Sequence, residues 1–73
     1  MGRSIGVDLH RDCFTTAILA ENGRFYTREW RMKDLDKFVG SLLPTDKLAV
    51  EMTTNVRLFH DAVKSHVDRV DVV

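Results

Sequence analysis

Two carboxylates in this 73-residue chain sit where they could do metal-assisted chemistry. Asp8 interrupts an alternating apolar run, Ser4-Ile5-Gly6-Val7-Asp8-Leu9-His10, and Glu51 closes a second short run, Leu48-Ala49-Val50-Glu51. An ionised carboxylate inside an apolar strand is costly unless it is paired or binds a metal. If the two runs are adjacent parallel strands, Asp8 and Glu51 are neighbours across about 5 Å of backbone. Paired acids suit a hard cation such as Mg2+ or Mn2+, which prefers carboxylate oxygens. Phosphodiester chemistry commonly uses two such ions roughly 4 Å apart, one at the attacking oxygen and one at the leaving oxygen. Taken singly, Asp8 reads equally well as a solvated edge residue. Glu51 alone reads as a cap on the helix that follows, where a carboxylate favours the positive end of the dipole.

The elements that must position these acids follow from periodicity. Residues 4–10 alternate with period two, the mark of a strand. A second strand over 14–20 leads into Asn22-Gly23, a type I′ hairpin signal, and in a third over 24–30 Phe25, Tyr26 and Trp30 supply bulk, with Tyr26 and Trp30 read as packing residues rather than stacking platforms. The period then changes to 3.6: Leu35, Phe38, Val39 and Leu42 predict an amphipathic helix over 34–43, with Pro44 beyond its end. A fourth strand over 47–51 follows. Thr53, Thr54 or Asn55 caps a second helix, with Leu58, Phe59, Ala62 and Val63 facing inward. Residues 70–73 form the last strand. The order β-β-β-α-β-α-β predicts an α/β fold in which an antiparallel meander joins parallel strands through right-handed crossovers. That is the opening of a ribonuclease-H-like mixed sheet with strands ordered 3-2-1-4-5. With both helices on one face, the other face needs a cover, supplied by chain beyond Val73 or by a partner.

At this point the motifs resemble a known family. Ile5-Gly6-Val7-Asp8-Leu9-His10-Arg11-Asp12 is similar to the opening Gly-x-Asp-x-His-Lys motif of the insertion sequence 110 transposases, the bridge-RNA recombinases. Glu51-Met52-Thr53-Thr54-Asn55 is similar to their second motif, commonly Glu-Ala-Thr-Gly-Asn-Tyr. Arg11 stands for the usual Lys, Thr54 for Gly and Val56 for Tyr. The resemblance implies that residues 1–73 form the first part of a RuvC-like catalytic domain with four acids in the order Asp, Glu, Asp, Asp. Asp8 and Glu51 are then the first two, as catalytic and metal-binding residues, and the others lie beyond Val73. It further implies metal-dependent DNA cleavage and strand transfer in transposition, directed by a structured guide RNA in a homo-oligomer. The present chain alone is then expected to be inactive.

Other residues bear on partners. His10 shares a strand face with Asp8, where it reads as a contact to phosphate, an orienter of water, a metal ligand or a structural histidine, and Arg11 beside it reads as a phosphate contact or a solvated turn charge. Between Arg24 and Lys37 five basic residues stand against three acids, interleaved with Tyr26 and Trp30, which makes Arg28 and Lys33 candidate nucleic-acid contacts as well as ordinary surface charges. The formal net charge of zero gives no global field for polyanions. One cysteine, Cys13, excludes an internal disulfide and suits a reducing cytoplasm. No apolar run approaches the roughly 20 residues of a membrane span, so no membrane partner is expected. Two other function classes remain open. One is an ATP-binding domain of the actin and sugar-kinase type, which shares Ile-Gly-x-Asp in its first strand but needs glycine after the acid; here Leu9-His10-Arg11 follows. The other is a non-catalytic nucleic-acid-binding or oligomerisation module.

Overall fold

The computed structural model describes residues 2–51 and 56–73. Strands β1 (Ser4–Leu9), β2 (Cys13–Leu19) and β3 (Phe25–Arg31) form an antiparallel meander. A short 3-10 turn (Met32–Asp34) leads into α1 (Leu35–Gly40), followed by β4 (Lys47–Val50), α2 (Val56–Val63) and β5 (Arg69–Val72). β4 lies parallel to β1 and β5 parallel to β4, giving one mixed α/β sheet ordered β3-β2-β1-β4-β5.

The alternation in β1 separates two faces. Ile5, Val7 and Leu9 are buried, whereas Ser4, Gly6 and Asp8 are exposed. On the buried face they meet Phe14, Trp30, Leu48 and Val50 from the sheet and Phe38, Phe59 and Val63 from the helices, so both helices cover the same side. Four rings form the centre. Phe14 meets Phe38 and Phe59 edge-on at 5.3 and 5.4 Å and stacks with Trp30 at 6.1 Å. Thr16, fully buried among them, accepts a 3.1 Å hydrogen bond from the Trp30 indole and donates one to the Arg28 carbonyl at 3.3 Å.

The structure departs from the sequence expectation in four places. The hairpin turn is centred one residue earlier: Gly23 N–H bonds the Ala20 carbonyl at 3.0 Å, which puts Glu21 and Asn22 in the turn, and Gly23 follows at φ 86°. This is the three-residue hairpin loop in which glycine supplies the left-handed residue. Gly23→Ala should therefore destabilise by about 1 kcal/mol, although a Cβ there meets nothing within 4 Å, and urea denaturation will measure it.

The first helix stops at Gly40 rather than residue 43. Ser41 places its hydroxyl 2.6 Å from the Phe38 carbonyl, and the Ser41 and Leu42 amides bond three residues back, tightening the last turn. Leu35, Phe38, Val39 and Leu42 nevertheless all pack on the core, as the period requires. Leu58 points outward, 58% exposed, and Val56 takes its place against the core. The reason is angular: Val56, Phe59 and Val63 share a stripe spaced three and four residues apart, and Leu58 sits about 100° from Phe59. Finally, Phe25 and Tyr26 are 65% and 44% exposed: the register turns Phe25 to the open face with Leu19, and Tyr26, on the helix face, stands at the sheet edge where only Trp30 reaches the helices. The expected caps Thr53, Thr54 and Asn55 lie outside the described residues.

One interaction had no counterpart in the sequence reading. Asp46, just before β4, is fully buried. Arg3 donates to it from Nε at 2.9 Å and Nη2 at 2.6 Å, and the Leu43 amide donates at 2.8 Å. The hydrogen bonds it donates to Asp46, and to a lesser degree the carboxylate's charge, raise the Arg3 guanidinium above its ordinary pKa, against the opposing effect of burial.

Candidate functional site

The parallel pairing of β1 and β4 runs Ser4 with Lys47, Ile5 with Leu48, Gly6 with Ala49 and Val7 with Val50. The next step of that register sets Asp8 against Glu51. Both are exposed on the face away from the helices, because alternation sends Val7, Leu9 and Val50 to the core and turns their neighbours outward. Across β2, Asp8 faces Thr15 and Gly6 faces Ala17. The two acids thus border an open basin of about 480 Å³ floored by Gly6, Ala17 and Ala49 and walled by Thr15 and Val73. Small residues at the floor leave the carboxylates standing above it.

Asp8 is corrected in one respect. It is not buried in an apolar strand: its side chain is 58% exposed. The desolvation argument does not apply to it, and its interest rests on its place beside Glu51. His10 lies on the same side, its Nε2 3.2 Å from Asp8 Oδ2, so the expected proximity is present. His10 is held by its backbone too, its N–H donating to the Cys13 carbonyl at 2.8 Å across the turn into β2. Arg11 is exposed in that turn.

Arg28 and Lys33 are not brought to the basin. Arg28 extends on the helix side of β3, its guanidinium 3.8 Å from the centre of the Trp30 ring, and Lys33 borders a groove with Leu35, Asp36, Val39 and Ala62. Both stand on the opposite side of the sheet from Asp8. The cations on the basin's own face are Lys47 and Arg69, with Arg31 at the far edge, and Arg69 holds Asp71 at 2.9 Å. Cys13, half-buried, begins β2 on that face.

The donor set suits a hard cation in kind, with two oxygen-bearing acids at adjacent strand positions. In number it is sparse. Among the described residues no group of three His, Cys, Asp or Glu side chains is placed to hold a metal. Two carboxylates are within what Mg2+ uses when waters and substrate phosphates complete its shell.

Among the described residues no helix is long and apolar enough to cross a membrane. No protein-family model matches the chain, and no curated protein matches it.

Proposed function

We propose that the chain supplies the first two acids, Asp8 and Glu51, of a two-metal phosphodiester site on a ribonuclease-H-like, RuvC-like sheet. The observation that carries this is the β1–β4 register, which sets the two acids side by side on the open face. On this reading the parent activity is the one the insertion sequence 110 motifs imply. It is transposition of a DNA element by cleavage and strand transfer in the cytoplasm, with a structured guide RNA and a homo-oligomeric enzyme.

The bound Mg2+ or Mn2+ would activate the attacking oxygen and stabilise the leaving one. Asp8 and Glu51 would hold it, and His10 would orient the Asp8 carboxylate through their hydrogen bond. The small floor of Gly6, Ala17 and Ala49 admits a phosphate backbone close to the acids. Further acids are required for full activity, so the chain by itself binds metal weakly and does not turn over. The kinase-type alternative is disfavoured by the β1–β2 turn. It contains no glycine, and the His10 amide a phosphate would need is already bonded to Cys13.

Manganese titration followed by amide NMR tests the reading. Paramagnetic broadening should centre on Gly6, Asp8, Thr15 and Ala49 and should weaken at least tenfold in apparent affinity in Asp8→Ala and Glu51→Ala. Broadening that ignores both substitutions, or that centres on Asp34 and Asp36, would sink the proposal.

A further inference from the structure

The sheet ends in a bare edge. β3 is the terminal strand, and its seven residues pair without interruption with β2 from Cys13–Arg31 to Leu19–Phe25. The bonds that bracket this ladder, Ala20 N–H to the Arg24 carbonyl at 2.8 Å and Met32 N–H to the Asp12 carbonyl at 2.9 Å, fix which backbone groups point inward. Antiparallel pairs alternate between bonded and non-bonded. Tyr26, Arg28 and Trp30 therefore bond β2, whereas Phe25, Thr27, Glu29 and Arg31 direct their N–H and C=O groups off the sheet. The strand carries no proline and no bulge, two of the usual devices that protect an edge.

Its side chains are complementary to themselves. Along the helix side they alternate cation and ring: Arg24, Tyr26, Arg28, Trp30, with Arg24 5.8 Å from the Tyr26 ring and Arg28 3.8 Å from the Trp30 ring. Among the described residues neither arginine forms an ion pair with a carboxylate. We propose that β3 is a self-association edge, through which two copies of the chain pair antiparallel about a two-fold axis at Thr27. In that register Thr27 faces Thr27 of the second copy and Phe25 faces Glu29. On the helix side Tyr26 faces Arg28 and Arg24 faces Trp30, so every cation lies across from a ring. The competing registers are penalised. Sliding by two residues opposes Arg28 to Arg28 in one direction and Arg24 to Arg28 in the other, and a slide of four opposes Glu29 to Glu29. A single paired edge is a small, isologous interface, so the dimer is weak and concentration-dependent. It uses none of the acids of the basin and stands independently of the metal reading.

Sedimentation equilibrium over a concentration series tests it. The weight-average mass should rise from 8.4 kDa toward twice that value. Thr27→Pro removes an outward N–H that β2 does not use, so the variant should keep the wild-type circular dichroism and stay at the monomer mass. Single-cysteine variants in a Cys13→Ser background fix the register even if the proline variant does not fold. Thr27→Cys should cross-link on oxidation, since bonded antiparallel pairs sit about 5.5 Å apart. Arg28→Cys should cross-link at least tenfold more slowly, its two copies being beyond the roughly 7 Å a disulfide spans. A constant 8.4 kDa up to about 1 mM, a proline variant that associates like wild type, or faster cross-linking at residue 28 would each overturn the proposal.

Discussion

Asp46→Ala should lose about 3–5 kcal/mol of stability, the range for removing one partner of a buried ion pair. A chain of this length holds only about 4–11 kcal/mol in total, so the variant should be largely unfolded at room temperature or close to it. The size of the effect follows from what Asp46 does at once. It accepts two hydrogen bonds from Arg3 and one from Leu43, and its backbone carbonyl receives the Asp68 amide at 2.9 Å. The Lys47 amide returns to the Arg3 carbonyl at 2.9 Å, and Arg3 Nη2 reaches the Ser41 carbonyl at 3.1 Å. The side chain thus ties the start of β1 to the turn after α1, while the backbone carbonyl of the same residue, which Asp46→Ala retains, holds the approach to β5.

Removing the carboxylate leaves a part-buried guanidinium and a buried amide without it. The chain passes so near that a Cβ on Gly2 would collide with the Thr45 carbonyl, which restricts any compensating shift. Urea denaturation of Asp46→Ala, Arg3→Met and the double variant Arg3→Met/Asp46→Leu checks the argument. The double variant should recover much of the loss, because apolar replacement of both partners removes the unpaired charge. A loss below about 1 kcal/mol in Asp46→Ala would be at odds with a pair this buried.

Phe14→Ala should cost about 3–5 kcal/mol, the range for truncating a fully buried ring. Phe14 has no exposed surface and touches three rings, Trp30, Phe38 and Phe59, so the vacancy opens between the sheet and both helices. The control is internal. Phe25 is 65% exposed, and Phe25→Ala should move monomer stability by no more than about 0.5 kcal/mol. Thermal and urea unfolding at low concentration, where association does not contribute, separates the two. Equal losses would mean that the ring cluster does not hold the helices to the sheet.

The contrast between these two phenylalanines marks how far the fold was legible in the sequence. Alternation in residues 4–10 and 47–51 revealed strands because one face of the sheet is open to water, and the strand order followed from the β-β-β-α-β-α-β succession. The pairing of Asp8 with Glu51 came from the same topology. What stayed hidden depends on contacts between distant residues. Nothing local distinguishes Asp46 from any acid in a Pro-Thr-Asp turn, since its partner Arg3 is 43 residues away. Phe25 and Phe14 are the same residue type in meander strands, and it is the pairing register, turning Phe14 to the helices and Phe25 to the open face, that decides which is buried. The early stop of α1 at Gly40 lay in a serine hydroxyl competing for a carbonyl, an effect too small for periodicity to register.

The position of Trp30 gives the molecule an optical reporter of its own state. It is the only tryptophan, 9% exposed, bonded to Thr16 and covered by the Arg28 guanidinium. One indole thus stands on the free edge strand itself and packs into the ring cluster. Its emission spectrum reads unfolding as a shift to longer wavelength and reads edge pairing as a change in the shielding of a ring that is already dry. No extrinsic label is needed to follow either event.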